Sequence, residues 1–207
     1  GKQPVFNEAS NQLTHLDLSY SNLLISDKTM FNDLKCLKYL DLSKVKLNDQ
    51  VLPDLFSELK QLEKLKFYDT KLIPTENAFI HLANLRELHF VSIEIPEQCS
   101  NIFAPLKSLE KLVIGYTNTF NYDAFRQVNN NLRQLELSRF STIRFGKNFF
   151  DNHSNMDALD LSGLNTSYSK KSKAFYIDLK AFANLKSLNL NDNNLKLEQG
   201  DCEMLFG

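Results

Sequence analysis

Apolar residues fall along this chain at two alternating spacings. In short stretches they alternate by two, as in Leu16-x-Leu18, Leu40-x-Leu42 and Leu65-x-Phe67; between these they recur by three, as in Phe31-x-x-Leu34-x-x-Leu37 and Phe56-x-x-Leu59-x-x-Leu62. Alternation by two buries every second side chain and predicts a short strand with three outward residues. The three-residue spacing predicts a tight helical turn or irregular coil running back to the next strand. The two patterns fuse into one unit, Leu-x-x-Leu-x-Leu-x-x-(x)-x-Leu, starting at Leu13, Leu37, Leu62, Leu85, Leu109, Leu132, Met156 and Leu185. Its sixth positions (Leu18, Leu42, Phe67, Phe90, Ile114, Leu137, Leu161 and Leu190) recur every 23–25 residues until a final interval of 29. A Phe-x-x-Leu-x-x-Leu register precedes most copies, from Phe31, Phe56, Phe79 and Phe103, with Phe125 and Phe150 in looser versions.

One such unit cannot fold alone. It fixes roughly 24 residues at about 1 kcal/mol or more each, against perhaps six buried apolar side chains worth roughly 1.5–3 kcal/mol apiece. Stacked, the strands form one parallel sheet and the phenylalanines a column behind it. Strands about 4.8 Å apart on one face, with bulkier segments behind, predict a stack curved towards the sheet.

Composition supports repetition. The 207 residues include 35 Leu and 22 Asn, but 6 Gly, 5 Pro and no Trp. A formal charge of −1 excludes a whole-molecule field for nucleic acid or acidic membranes. No run of about 18 apolar residues is present to span a bilayer. The chain opens on Gly1 without a signal-like segment, which predicts a mature product or an excised piece.

Residues 13–195 resemble leucine-rich-repeat proteins, and the 24-residue period with its Phe-x-x-Leu-x-x-Leu back segment is most similar to Toll-like receptor ectodomains. The resemblance implies an α/β fold class: a curved leucine-rich-repeat solenoid with a parallel β-sheet on the concave face and short helical turns or irregular coil on the convex face. It implies one domain over residues 1–207, of about eight repeats, here without the cysteine caps usual at both ends. It further implies an extracellular or cell-surface recognition module of innate immunity, non-enzymatic and without cofactors. Such a module binds a protein or lipid-bearing ligand through its concave face and pairs with a second solenoid, touching a membrane only through segments absent from this chain.

The chain departs from the family at the ninth motif position, normally Asn, whose side chain forms a ladder between turns. Here the column reads Ser21, Val45, Thr70, Ile93, Thr117, Phe140, Leu164 and Asn193. Four of these have no hydrogen-bonding side chain, so the turn backbone needs other partners and irregular curvature is expected between Val45 and Leu164. The long final interval holds a basic excursion, Ser167–Phe175, expected at the surface. Cys36, Cys99 and Cys202 lie in different turns, so all three are expected as free thiols or as partners of cysteines outside this chain. Asn152-His-Ser154 and Asn165-Thr-Ser167 are glycosylation sequons.

The sequence contains no phosphate loop, nucleophile elbow, Cys-x-x-Cys or His-Glu-x-x-His. His15, His81, His89 and His153 stand in separate turns without metal-ligand spacing, and are expected as surface residues. The repeated Asp17 and Asp41 are expected as a ladder of surface carboxylates. What remains is the concave face. Terminal turns read Asp-Leu-Ser, small and polar; the middle turns replace this with Tyr39, Tyr68, Val91, Val113 and Tyr116 among Lys64, Lys66, Glu87, His89 and Lys111. Aromatic and apolar anchors within a polar rim are what a protein-binding surface needs, so these ten residues are the candidate ligand site, with an exposed apolar centre expected. An intracellular scaffold, suggested by the unpaired cysteines, is the alternative. Nucleic-acid binding is disfavoured because charge changes sign from turn to turn.

Overall fold

A computed structural model describes residues 6, 8–48, 51–118, 121–140, 149–164, 182 and 184–193. Among these described residues ten strands run in order: β1 His15–Asp17, β2 Leu24–Ile25, β3 Tyr39–Asp41, β4 Lys46–Leu47, β5 Lys64–Tyr68, β6 Glu87–Val91, β7 Lys111–Gly115, β8 Gln134–Ser138, β9 Ala158–Asp160 and β10 Ser187–Asn189. Eight form one sheet in the order β1-β3-β5-β6-β7-β8-β9-β10, every pair parallel, as a solenoid requires. The register is that of the sequence motif. Its fourth position aligns Leu16, Leu40, Leu65, Leu88, Leu112, Leu135, Leu159 and Leu188 as successive partners.

Behind the sheet the chain returns through hydrogen-bonded turns, 3-10 segments at Glu8–Gln12, Asp54–Phe56 and Asp151–His153, and the short helix α1, Tyr122–Arg126. Asn121 caps α1, its Oδ1 accepting the Ala124 N–H at 2.9 Å, which satisfies one of the free donors of a helix start. The predicted phenylalanine column is present: Phe31, Phe56, Phe79, Phe103, Phe125 and Phe150 are all buried. Phe79 stacks on Phe103 at 6.4 Å between centroids, and Phe125 on Phe149 at 4.8 Å.

The ninth column lies in the core from Val45 to Asn193. Asn193 makes the ladder contact, donating to the Leu161 carbonyl at 2.6 Å and accepting the Leu164 N–H at 2.7 Å. Thr70 does half of this, its hydroxyl donating to the Leu42 carbonyl at 2.9 Å. Where the residue is Val45, its own N–H closes the turn on Leu42 instead. A different set of asparagines ties the turns together outside the core. Asn84 donates to the Lys60 carbonyl, Asn131 to that of Lys107, and Asn155 to that of Asn130, at 2.9, 3.1 and 3.2 Å. Each sits immediately before the first motif leucine (Met156 in one copy) and bridges one full repeat.

The first copy differs from its expected alignment. Ile25 rather than Leu23 pairs with Leu47, in the small two-stranded sheet of β2 and β4. Ser21 is exposed and Asn22 adopts a φ of 54°, so this turn is two residues longer than the others.

Every strand leaves the sheet through the same backbone conformation. The eighth motif residue has positive φ in all eight copies: Tyr20, Lys44, Asp69, Ser92, Tyr116, Arg139, Gly163 and Asp192. The first seven each donate an N–H to the seventh-position carbonyl of the next turn, as in Tyr116 to Ser138 at 3.1 Å. That continuous ladder offsets a conformation costing L-residues about 1 kcal/mol. Among the described residues, no helix is long and apolar enough to cross a membrane.

Candidate functional site

The sheet face divides by the identity of the fifth motif residue. Where this is Asp or Asn, its side chain accepts the seventh-position N–H two residues on: Asp17 from Ser19, Asp41 from Ser43, Asp160 from Ser162 and Asn189 from Asn191, at 2.8–3.0 Å. This local turn stops the strand after three residues. In the middle turns the position holds Lys66, His89, Val113 and Glu136, the local acceptor is lost, and β5 to β8 continue for five. Tyr68 thus ends one of the five-residue strands and Tyr116 directly follows another, while Tyr39 lies on the three-residue β3.

The ten candidate residues fall on β3 and β5 to β7, or directly after β7, and the structure brings them together. Tyr39 donates to Asp41 Oδ2 at 3.2 Å, stacks on His15 at 5.8 Å, and lies under the ammonium groups of Lys64 and Lys66 at 6.0 and 5.5 Å. Glu87 is the electrostatic centre: Lys64 approaches it at 2.8 Å, Lys111 at 3.4 Å, and the His89 ring nitrogen at 2.5 Å. Burial alone would raise its pKa, but the His89 and Lys64 contacts prevail and lower it to about 2. Burial, reinforced by Lys66 and Lys111 against the opposing pull of Glu87, lowers that of His89. Tyr68 and Tyr116 meet edge to face at 6.3 Å and are 39% and 49% exposed.

Three expectations about exposure need correction. Val91 and Val113 are 7% and 5% exposed, so the centre of the patch is not an open apolar surface. Strands about 4.8 Å apart place longer side chains beside the valines, His89 and Glu136 flanking Val113 in register and Tyr68 standing beside Val91 on the side away from Gly115. Asp41 is buried, held by Tyr39, Ser43 and Lys66, and is not part of a solvated ladder. His153 is buried, stacked on Phe125 at 4.6 Å, because the Asp151–His153 turn directs it onto the phenylalanine column.

The sequence reading left three residues out of the site. Tyr20 is 66% exposed and carries Lys44 over its ring at 5.2 Å. Arg139 sits over Tyr116 at 5.4 Å. All belong to the eighth column, and the signal available was their common spacing from the strand leucines. A groove of about 250 Å³, lined by Tyr20, Asp41, Lys66, Tyr68, His89 and Val91, joins this column to the sheet face. A polar hollow of about 280 Å³ lies where the strands begin, between Arg86, Glu110, Asn131 and Arg133. Its groups largely serve the stack itself, through the Arg86–Glu110 pair at 3.0 Å and the Asn131 rung.

Of the two sequons, Asn152 is exposed on the back of the solenoid; Asn165 lies outside the described residues, as do Cys202 and the Ser167–Phe175 excursion. Cys36 and Cys99 are free thiols, the latter buried and donating to the Pro74 carbonyl at 3.3 Å. Among the described residues no three His, Cys, Asp or Glu side chains stand together as a metal set.

Compared with protein-family profiles and with curated protein sequences, the chain matches none. Solved structures do match its fold. Human 5T4, also called trophoblast glycoprotein, superposes with a TM-score of 0.62 at 17% identity, over 92% of this chain and 81% of its own. Drosophila Toll, in its complex with Spätzle, gives 0.59 at 18% identity over 81% of this chain and 25% of Toll. An internalin from Listeria monocytogenes gives 0.53 at 16% identity over 87% of this chain. The chain spans 56% of that internalin's length. These are leucine-rich-repeat proteins, and the chain has their solenoid fold.

Proposed function

We propose that this leucine-rich-repeat solenoid is a non-enzymatic recognition module, part of a cell-surface or extracellular receptor of the Toll-like kind, whose concave face binds a protein or lipid-bearing ligand. The observation that carries it is the middle of the sheet. On β5 to β7 the plain Asp-Leu-Ser surface gives way to Tyr68 and, just beyond β7, Tyr116, held edge to face above a network of Lys64, Lys66, Glu87, His89 and Lys111. Rigid aromatic anchors beside fixed charges are the parts from which interface hot spots are made. The solenoid likeness to Toll, solved in complex with Spätzle, favours a protein ligand and makes pairing with a second solenoid part of the proposal. The test is an array of secreted and cell-surface proteins and glycolipid vesicles presented to the recombinant chain. A Tyr68→Ala/Tyr116→Ala double variant should lose at least tenfold in affinity for whatever binds, with its thermal transition retained. Binding equal to that of the parent chain rejects the site.

The free thiols of Cys36 and Cys99 favour a second reading, an intracellular scaffold. Glycan analysis at Asn152 and Asn165 in protein from its native source separates the two, since an attached glycan requires the secretory route.

A further inference from the structure

Tyr20 and Tyr116 occupy backbone positions with φ of 58° and 55° that Gly163 and Asp192 fill elsewhere in the same column. The column demands the left-handed conformation and is indifferent to the ring: Gly, Asn and Asp adopt it most easily, a bulky residue least. Both rings nevertheless stand 66% and 49% exposed, each covered on one side by the cation of the following turn, Lys44 or Arg139. Strain accepted twice to hold an exposed aromatic ring in one orientation points to a use outside the fold. Tyr68 stands between them against Tyr116, and the 250 Å³ groove runs from Tyr20 to Tyr68 over Val91.

Charge identifies the occupant. Outward on β5, β6 and β7 stand Lys64, Lys66 and Lys111 against one carboxylate, Glu87, which already receives Lys64, Lys111 and His89. Of the other carboxylates on this side, Asp41 is held by Tyr39, Ser43 and Lys66, Asp69 on the rim pairs with Lys44 at 3.6 Å, and Glu136 accepts from the Ser138 hydroxyl. Among the described residues Arg139 has no carboxylate at ion-pair distance, and Lys66 reaches Asp41 only at 4.0 Å. Four strand spacings separate Tyr20 from Tyr116, about 19 Å, the length of about six extended residues.

We propose that the groove along the strand exits seats an extended acidic segment of a partner protein, with Tyr20, Tyr68 and Tyr116 as its apolar anchors and Lys66 and Arg139 receiving its carboxylates. This rests on the chain being a recognition module. It moves the contact from the sheet centre to the rim and names the chemistry of the partner.

The experiment selects binders from a displayed library of random short peptides and compares the parent chain with Tyr20→Asn/Tyr116→Asn, Arg139→Gln, and Tyr39→Ala/Lys111→Ala. Asn suits the left-handed positions, so the first variant keeps or gains stability and its binding loss is not unfolding. Expected are peptides in which Asp or Glu alternates with aromatic or aliphatic residues, binding weakened at least tenfold by the Tyr20→Asn/Tyr116→Asn pair and several-fold by Arg139→Gln, and affinity falling with added salt. Enrichment without acidic bias, or binding untouched by the Tyr20→Asn/Tyr116→Asn pair, overturns the inference. Peptides lost only in the Tyr39→Ala/Lys111→Ala variant leave recognition by the sheet centre standing and remove the rim. Vesicle or glycan binding by a chain that enriches no peptide likewise overturns the acidic segment while leaving a recognition role intact.

Discussion

Gly115 lies so close to Ser138 that a Cβ at position 115 would stand 2.5 Å from the Ser138 carbonyl oxygen and 2.9 Å from its hydroxyl. The two residues are partners on β7 and β8, and the next N–H, from Tyr116, donates to that same carbonyl. The seventh column is otherwise Ser, Tyr, Val or Asn, so the contact is particular to this turn.

Gly115→Ala should therefore strain the sheet where the aromatic rim begins. A loss of about 1–3 kcal/mol is expected, the range for overpacking a closed site. Chemical denaturation measures it; an unchanged midpoint would show that β8 moves aside freely.

The Thr70 hydroxyl and the Asn193 amide do the same work to different extents. Thr70→Val removes one donor from the buried Leu42 carbonyl and should cost about 1–2 kcal/mol. Asn193→Ala removes contacts to Leu161, Leu164 and Leu190 and should cost more, about 2–4 kcal/mol. Equal losses in the two variants would contradict this account of the ninth column.

Ser92 holds the left-handed conformation without aromatic or ionic compensation, at a φ of 58°. Ser92→Gly should raise stability by about 0.5–1 kcal/mol, because the positive φ suits glycine. Thermal melting decides it, and a destabilised variant would mean that the hydroxyl contributes more than the strain it accompanies.

Acid should loosen the stack in two steps. Burial lowers the His153 pKa from 6.5 to about 4, so the unfolded chain takes up a proton first. Stability is complete above pH 6.5 and falls by about 3 kcal/mol as pH drops to about 4. Glu87, lowered from 4.5 to about 2, contributes above pH 4.5 and loses that contribution between 4.5 and 2. A His153→Leu variant should shrink the first step to the part that His89, whose pKa burial also lowers, contributes, and should keep the second. A first step undiminished in that variant assigns it away from His153.

The sequence by itself determined the architecture. A unit with buried positions at two-residue and three-residue spacing cannot close its own core, so its repetition dictated the stacking, the register of Leu16 through Leu188, and the phenylalanine column. It also placed Tyr39, Tyr68, Tyr116 and the lysines on one face, because outward positions on aligned parallel strands must adjoin. Tertiary structure alone decided how that face is used. Val91 and Val113 alternate outward yet are buried by taller neighbours, which depends on the residues in register and not on period. Asp41 and His153 look solvated along the chain and become buried, Asp41 among Tyr39 and Ser43 of its own turn and Lys66 of the next, His153 against Phe125 a repeat away. The left-handed column and the asparagine rungs outside the core arise from hydrogen bonds between successive turns, and a linear pattern holds no record of which carbonyl lies opposite which donor.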